Sequence, residues 1–541
     1  MHVDSDDVDG QRRHREVQEN LRRHRELTTA ALHEFDRGRD EAAAVLAQTA
    51  ACHGYFHHPG LWASPELEQM LATIGWRALP RLYDVAPPLG RRPTERVLHV
   101  LTRVASIGGH SRMVWRWIGQ DSTRSHSVVL TRQGALPVPD DLEDAVRSRG
   151  GSVRTLNRTR GTVLSWAHDL RDHARDFDLV VLHIYAEDVI PLIAFADRTG
   201  LPPVAFVDQA DHAFSIGPAS SDLYIGLRDA GARLAVERRG VAAERVAELP
   251  ITIAKIDRTK SRAEAKQLLG LSADNVVLLA VARAPKFRSH GGEHYSAPFR
   301  ELVTRHPEVR LLVIGPEADE TWRAITEETG GQIRAFGERP DTKTFYEAAD
   351  IYVDSFPAIS NTSLLEAGCH SIPLVSRCLQ PGPHTVLCAD APGFASQIVR
   401  TSDRREHAEA LERLVVDAVY REKLGEETKA AIEASHVGAG WQGALERIYE
   451  QTETIPRLTA LPTGPDLPRS DALDLLWSEV FGSDISLADI RSWFVKGLPF
   501  GARLRAWLEI TAQQRRVRPQ LLVPEWATAH LRELRTRIRA R

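Results

Sequence analysis

The chain has 541 residues and a formal net charge of −4, so it is too long for one domain and has no overall positive charge to recruit nucleic acid. Its 43% hydrophobic and 26% charged residues are typical of a globular protein and exclude a disordered or fibrous chain. No apolar run approaches the roughly 20 residues of a membrane-spanning helix. Four cysteines without a Cys-x-x-Cys pair, and no secretory signal, predict a cytoplasmic protein.

Residues 1–92 predict a helical N-terminal extension. Apolar residues recur at helical spacing between Arg12 and Cys52, which indicates one amphipathic helix or a pair. Ser64-Pro65-Glu66 is typical of a helix start, with a cap, a proline and an acid in the first turn. The histidines of the loop 53–60 have no carboxylate or cysteine at ligand spacing, so no metal site is predicted.

The pattern changes at residue 93, where an α/β domain is predicted to begin and to run to residue 250. Val97–Val104 reads as a buried strand, and the loop after it contains Gly108 and Gly109 before a helix. This loop is not the Gly-x-Gly-x-x-Gly of dinucleotide sites. His110 in this loop is a candidate contact for a phosphate or an acceptor, and the alternative is a structural loop histidine.

Strands and helices continue to alternate, which predicts a parallel sheet with ligands at the carboxyl ends of its strands. Four polar residues follow such ends: His183, Asp208, Asp211 and His212. Asp208, Asp211 and His212 are the acceptor-side candidates. The predicted strands of this domain are 97–104, 127–131, 153–156, 179–184, 204–207 and 223–227.

A second α/β domain is predicted over residues 251–452. Arg283 and Lys286 follow its first strand and are suited to the charge of a diphosphate. The alternative is a solvated basic loop. The predicted strands are 276–281, 309–314, 333–336, 351–353 and 372–375.

The stretch Asp350–Arg377 reads as strand, polar turn, short helix and strand. Asn361, Thr362 and Ser363 are residue types that begin helices, and a helix N-terminus at a strand end attracts a phosphate. The alternative is an ordinary turn in which Ser363 and Glu366 form a capping box.

Four prolines in residues 453–470 predict a linker, and residues 471–541 predict a basic, tryptophan-containing helical tail. From Arg503 to Arg541 there are ten arginines and three glutamates. Such a tail could rest on an anionic membrane, so the location could be membrane-associated. The alternative is a helical appendage that packs on the core.

Taken together, the Gly-Gly loop, the Arg283/Lys286 pair and the stretch from Asn361 to Pro373 resemble GT-B glycosyltransferases, most closely the retaining family 4. The resemblance covers about residues 95–450. It implies two Rossmann-like domains with parallel sheets facing a cleft, an N-terminal acceptor domain and a C-terminal donor domain. The arginine-rich composition suggests a bacterial source.

The resemblance also implies site residues. His110, His183, Arg283 and Lys286 would be catalytic, with the two histidines near the transferred sugar and the two cations on the pyrophosphate. Glu366 resembles the second glutamate of the family's Glu-x7-Glu signature and would hold the donor ribose. The donor-binding set as a whole is Gly108, Gly109, Gly315, Pro316, Phe336, Gly337, Asn361, Thr362, Ser363 and Glu366.

One position departs from the family pattern. The first glutamate of the signature falls on residue 358, which is alanine, so the signature is degenerate. The implied function is hexosyl transfer from a nucleotide-diphosphate sugar, with retention and without metal or cofactor. The alternatives are a GT-B nucleotide-sugar epimerase and a non-catalytic GT-B-like binding subunit. Donor base, sugar, acceptor and oligomeric state are left open.

Overall fold

The computed structural model describes residues 5–80, 93–379, 385–394, 396–461, 466–528 and 530–531. Side chains of residues 5–9 are not described. The predicted N-terminal extension and C-terminal tail therefore lie partly outside the described residues.

Three helices precede the first strand: α1 (Ser5–Asp36), α2 (Asp40–Phe56) and α3 (Pro65–Ala78). The predicted amphipathic segment is a pair of helices that pack against each other. Ser64 caps α3 as predicted, because its side chain accepts a hydrogen bond from the Leu67 N–H at 3.2 Å.

The first sheet confirms the predicted α/β alternation. In the described residues its strand order is β3-β2-β1-β4-β5-β6-β7, with every neighbouring pair parallel. The order reverses between β1 and β4. The strands are β1 (Arg96–Leu101), β2 (Ser125–Leu130), β3 (Val153–Thr155), β4 (Leu179–His183), β5 (Val204–Asp208), β6 (Leu223–Gly226) and β7 (Val246–Glu248).

The second sheet is also parallel, with the order β10-β9-β8-β11-β12-β13 in the described residues. Its order reverses between β8 and β11. The strands are β8 (Val276–Val281), β9 (Val309–Ile314), β10 (Ile333–Ala335), β11 (Ile351–Val353), β12 (Leu374–Arg377) and β13 (Ile398–Thr401).

The remaining helices mostly connect strands or follow the second sheet. They are α4 (Gly109–Gln120), α5 (Asp140–Ser148), α6 (Val163–Ala174), α7 (Val189–Ala194), α8 (Asp229–Arg238), α9 (Arg262–Leu268), α10 (Ala297–Arg305), α11 (Glu320–Glu328), α12 (Lys343–Ala348), α13 (Asn361–Cys369), α14 (Arg404–Val416), α15 (Ala418–His436), α16 (Gly438–Thr454), α17 (Ala472–Phe481), α18 (Leu487–Phe494) and α19 (Phe500–Gln514).

The chain forms two compact units. The first comprises 1–226, 231–248 and 446–541, and the second comprises 227–230 and 249–445. Each unit has its own apolar core beneath its sheet. The domain boundaries expected from the sequence stay a prediction.

The segment predicted as a linker is attached to the first unit at several points. Arg457 Nη1 donates to Asp222 Oδ2 at 3.0 Å, and the Arg469 N–H donates to Gly60 O at 2.8 Å. Beyond it, Trp477 of α17 is buried, and Asp474 accepts hydrogen bonds from His58 and Trp62 at 2.8 and 3.0 Å. The described part of the tail therefore packs as a helical appendage.

Two negative findings apply to the described residues only. None of the helices there is long and apolar enough to span a membrane. In the same part of the chain, no three His, Cys, Asp or Glu side chains are grouped as metal ligands.

Candidate functional site

The second sheet brings the two loops of its reversal point side by side. Ligands of open parallel sheets bind where the strand order reverses, outside the carboxyl ends of the strands. Here the loop after β8 carries Lys286, and its Nζ donates a hydrogen bond to Ile359 O at 2.5 Å, in the loop after β11. The predicted basic loop after β8 and the turn before α13 that was predicted to bind a phosphate are therefore in direct contact.

Asp354 organises the turn that follows β11. Its buried carboxylate accepts hydrogen bonds from the N–H groups of Ser355 and Ser360 at 2.8 and 3.0 Å and from Ser376 Oγ at 2.9 Å. Burial raises the pKa of Asp354 to about 6, although Ser376 and the charge of Lys286 oppose the rise. This carboxylate fixes the backbone immediately before α13.

The two cations of the basic loop differ. Lys286 is partly exposed, and burial lowers the pKa of its ammonium to about 8, against the pull of Asp354. Arg283 is exposed, at the start of the short turn that ends in Lys286. Lys286 is therefore held in position and carries a charge that Asp354 only partly offsets. The charge of Arg283, by contrast, is exposed to solvent.

The N-terminus of α13 is open. Ser360 is its N-cap residue, and among the described residues no side chain caps the helix; Ser360 Oγ donates to Ser363 Oγ at 3.2 Å. The alternative of a capping box that starts at Ser363 is wrong, since Ser363 lies inside the first turn. Asn361 Oδ1 is buried without a hydrogen-bond partner in the described part of the chain. This end carries the positive pole of the helix dipole.

Glu366 and Ala358 lie on either side of that helix start. Glu366 is buried on α13. Ala358 is also buried, and its carbonyl accepts a hydrogen bond from Ser355 Oγ at 2.7 Å. No carboxylate is available at position 358 to contact a sugar.

The other predicted donor residues form the ends of β9 and β10. The Gly315 N–H donates to Gly337 O at 2.9 Å, and the Gly337 N–H donates to Pro316 O at 2.8 Å. Gly315 has a φ of 129°, and a Cβ there would lie 1.7 Å from Ala282 O. Only glycine allows this approach of β9 to the loop after β8. The Phe336 ring packs against Phe345, with centroids 5.1 Å apart.

In the first unit, the reversal between β1 and β4 brings His110 to His183. His110 Nε2 lies 3.0 Å from His183 O, so it must be the donor in this hydrogen bond. Burial lowers the pKa of His110 to about 4, which keeps the ring neutral and leaves Nδ1 as an acceptor. Gly108, with a φ of 126°, precedes α4, and nothing lies within 4 Å of where its Cβ would be.

The ring of His183 faces the interior. It is fully buried, with Gln209 Nε2 3.0 Å from Nδ1 and His99 Nδ1 3.0 Å from Nε2. The structure therefore brings the His183 carbonyl, not its ring, to His110. A contact between the ring and a sugar stays a prediction.

The acceptor-side candidates form a separate cluster. Asp208 is buried and accepts hydrogen bonds from Arg239 and, at 2.8 Å, from Tyr224 OH. Arg239 also binds the Asp211 carbonyl at 2.8 Å. These contacts are structural, and they leave little of Asp208 for a ligand.

His212, the third acceptor-side candidate, contacts the C-terminal appendage. Its ring packs against Phe481, with centroids 4.8 Å apart, and its carbonyl accepts a hydrogen bond from Trp477. α17 therefore already covers one side of His212, the residue that was predicted to contact the acceptor.

Sequence reasoning missed three features of the two units. Asp354 follows a strand end, so the rule that selected Asp208 could have selected it. The pairing of Cys378 with Cys388 in a disulfide has no sequence signal at a separation of ten residues. The contacts of Gln209 depend on strand register, which the sequence does not specify.

Comparisons with known proteins establish the fold. No family model and no curated protein matches the chain. Among solved structures, Alr3699/HepE of Anabaena, in complex with UDP and glucose, is 15% identical with a TM-score of 0.50, covering 66% of this chain and 98% of its own. A glycosyltransferase from Rickettsia africae is 10% identical with a TM-score of 0.51, covering 66% of this chain and 99% of its own.

The chain has the GT-B fold. The two parallel sheets, each with helices between its strands, are the architecture of both solved structures. At sequence identities of 15% and 10%, the structural similarity shows the fold alone. The fold class expected from the sequence is confirmed, and about a third of the chain lies outside the shared part.

Proposed function

We propose that this protein is a glycosyltransferase that moves a sugar from a nucleotide-diphosphate sugar to an acceptor hydroxyl. One observation carries the proposal: the Lys286 ammonium lies beside the uncapped N-terminus of α13, at the reversal point of the second sheet. A cation and free N–H groups together are suited to a diphosphate. HepE, which shares the fold, was solved with UDP, and this supports a nucleotide donor.

The chemistry requires charge stabilisation on the leaving group. The bond between the anomeric carbon and the β-phosphate oxygen breaks, and a bond from that carbon to the acceptor oxygen forms. The acceptor's proton passes to the departing diphosphate. Lys286, the first-turn N–H groups of α13 and the exposed Arg283 would neutralise the developing negative charge. No step in this scheme requires a metal or a cofactor.

The first unit would supply contacts to the sugar and the acceptor. The neutral His110 ring can accept a hydrogen bond from a hydroxyl group at Nδ1, while its Nε2 donates to His183 O. The open space at Gly108 lets a ligand approach the backbone there. In the second unit, Glu366 is proposed to hold the ribose. Retention of the anomeric configuration and a hexose donor are also parts of this proposal. A further part is that another residue makes the sugar contact for which Ala358 offers no carboxylate.

The cellular setting is also part of the proposal. We place the protein in the cytoplasm of a bacterium, where the basic tail could contact an anionic membrane. Phe500, Leu504 and Leu508, spaced four residues apart on α19, are exposed beside Arg505. Co-sedimentation with anionic but not neutral vesicles tests this contact. The terminal arginines of the tail lie outside the described residues.

The test is a turnover assay with a panel of UDP- and GDP-sugars, with and without candidate acceptors. Release of the nucleotide with formation of a glycoside supports the transferase. Conversion of the donor sugar without release of nucleotide supports the epimerase instead. If neither reaction occurs and no nucleotide binds, the remaining alternative is a non-catalytic GT-B-like binding subunit.

The charge of Lys286 predicts how donor affinity depends on pH. With a pKa of about 8, the ammonium is mostly charged at pH 7 and mostly neutral at pH 9. A diphosphodiester keeps its charge over this range, so affinity follows the fraction of charged lysine. We expect the dissociation constant of a nucleotide sugar to rise about tenfold from pH 7 to pH 9. Calorimetry at both values measures it, and in Lys286→Met the rise should disappear.

A further inference from the structure

Three histidines on neighbouring strands form a continuous buried chain. His126 of β2, His99 of β1 and His183 of β4 are each 0% exposed. His99 Nε2 lies 3.0 Å from His126 Nδ1, and His99 Nδ1 lies 3.0 Å from His183 Nε2. Strand register places the three diagonally on one face of the sheet, so that the rings stack with centroids 5.2 Å apart.

Each end of the chain has a different partner. At one end, the Asp121 Oδ2 atom lies 3.2 Å from His126 Nε2 and accepts a hydrogen bond from Tyr449 OH at 2.7 Å. At the other end, Gln209 Nε2 lies 3.0 Å from His183 Nδ1. Trp117 of α4 closes over the middle, with its ring against His99 and His183.

The carboxylate end gives the chain a direction. Burial would raise the pKa of Asp121, but the Tyr449 hydroxyl and the nearby His126 and Arg124 side chains lower it, so Asp121 is ionised and can only accept. Burial also lowers the pKa values of His99 and His183, which keeps both rings neutral. A neutral imidazole has one donor and one acceptor. Both ends fit one direction, since Asp121 faces His126 Nε2 and can only accept, and Gln209 Nε2 faces His183 Nδ1 and can only donate. His183 and His99 therefore donate from Nε2, and His126 Nδ1 accepts from His99.

The Gln209 amide is oriented by this contact. Its NH₂ group donates to His183 Nδ1 at 3.0 Å. The amide oxygen, Oε1, therefore points away from the histidine. Gln209 is partly exposed and directly follows β5, at the carboxyl edge of the sheet beside β4. A strand-end carbonyl oxygen held in this way is prepared to accept a hydrogen bond from a hydroxyl group.

We propose that Gln209 is a sugar-binding residue whose Oε1 accepts a hydrogen bond from a sugar hydroxyl, and that His183, His99, His126 and Asp121 are positioning residues that orient it. This inference rests on the proposed function, since it assigns a ligand contact at the same edge as His110. The chain is linear, with each ring bonded to the next, so its nitrogens do not converge on a cation.

The direction of the chain is testable without any activity. In protein labelled with ¹⁵N-histidine, we expect the His99 and His183 rings to be neutral and protonated at Nε2 from pH 6 to pH 8, with His126 Nδ1 as the acceptor of the His99 proton. Single His→Asn variants at the three positions, and at partly exposed His168 as a control, assign the signals. A ring protonated at Nδ1, or a charged ring, in the unaltered protein would overturn the proposal.

A paired substitution sharpens this test. Gln209→Glu places an acceptor at both ends, so one ring should become doubly protonated or the chain should break. Adding Asp121→Asn supplies a donor at the far end, so the double variant should return to three neutral rings, now protonated at Nδ1. Three neutral rings protonated at Nε2 in Gln209→Glu would show that Gln209 does not determine the direction, and would overturn the proposal.

The sugar contact is tested by kinetics with the full chain. Gln209→Leu should lower kcat/KM for transfer by about three- to tenfold, the usual effect of one neutral hydrogen bond. A rise in the donor's KM assigns the hydroxyl to the transferred sugar, and a rise in the acceptor's KM assigns it to the acceptor. Gln69→Leu, an exposed glutamine on α3, is the matched control.

Failure of the contact and failure of the proposed function are distinguishable. Transfer by Gln209→Leu within twofold of the unaltered protein would overturn the sugar contact. If the unaltered protein turns over no donor, the proposed function fails, and a sugar contact at Gln209 fails with it. The tautomers of the three histidines would then still show whether the hydrogen bonds between their rings run in the proposed direction.

Discussion

Replacing Lys286 with methionine is expected to lower donor turnover about 10²- to 10³-fold, the usual range for removing one group that stabilises developing negative charge. Lys286 Nζ is held 2.5 Å from Ile359 O, directly before the open end of α13. Methionine keeps the length and most of the packing of the side chain while removing the charge. The value of kcat/KM for a nucleotide sugar measures the effect.

Two control variants separate a local from a general charge effect. Lys255→Met removes a lysine of the same unit that is 74% exposed, and it should leave turnover unchanged. Arg283→Ala should cost less than Lys286→Met, because an exposed guanidinium is screened by solvent. If both Arg283→Ala and Lys286→Met stay within a few-fold of the unaltered protein, neither residue holds the diphosphate.

Replacing Asp354 with alanine is expected to destabilise the second unit by about 3–5 kcal/mol, the cost of removing one partner from a buried charged network. Two backbone N–H groups and Ser376 Oγ would lose their acceptor, and Lys286 would lose its nearby negative charge. Urea unfolding, followed through the transition of the second unit, measures the change.

The matched control is Asp319→Ala in the same unit. Asp319 caps α11 by accepting a hydrogen bond from the Trp322 N–H at 2.9 Å, so its loss should cost about 1 kcal/mol. If Asp354→Ala costs no more than this control, the turn before α13 does not depend on the buried carboxylate. The statement that Asp354 fixes the backbone next to the proposed diphosphate site would then be wrong.

The sheets could be predicted because buried parallel strands are continuous apolar runs, and most strands of both sheets have this form. β7 and β13 were missed because both are short and carry a charged residue, Glu248 in one and Arg400 in the other. Neither differs locally from a loop. Their assignment depends on pairing with β6 and β12, which is tertiary information.

The candidate site could be predicted only in part. Lys286 was selected because it follows a strand end, and Asn361 because it is of a residue type that begins helices; strand ends meet at one edge of a parallel sheet, which brings the two loops together. The inward direction of the His183 ring could not be found, since it depends on which face of β4 packs against α4. His99 and His126 lie inside apolar strands and give no signal until the register of three strands is known.

The absence of a glutamate at position 358 now has a structural meaning. Ala358 is buried and its carbonyl is bonded to Ser355, so this position cannot contact a sugar through a side-chain carboxylate. The proposed roles of Lys286 and Glu366 do not depend on a carboxylate at this position. If the protein transfers a sugar, the sugar contact comes from residues other than Ala358, and His110 and Gln209 are the ones we propose.

The most direct test of a nucleotide-diphosphate site in the second unit is a calorimetric titration of the full chain with UDP and with GDP. We predict that one of them binds at a single site and that Lys286→Met weakens this binding strongly while Lys255→Met does not. Absence of binding by both nucleotides at millimolar concentration would contradict the account.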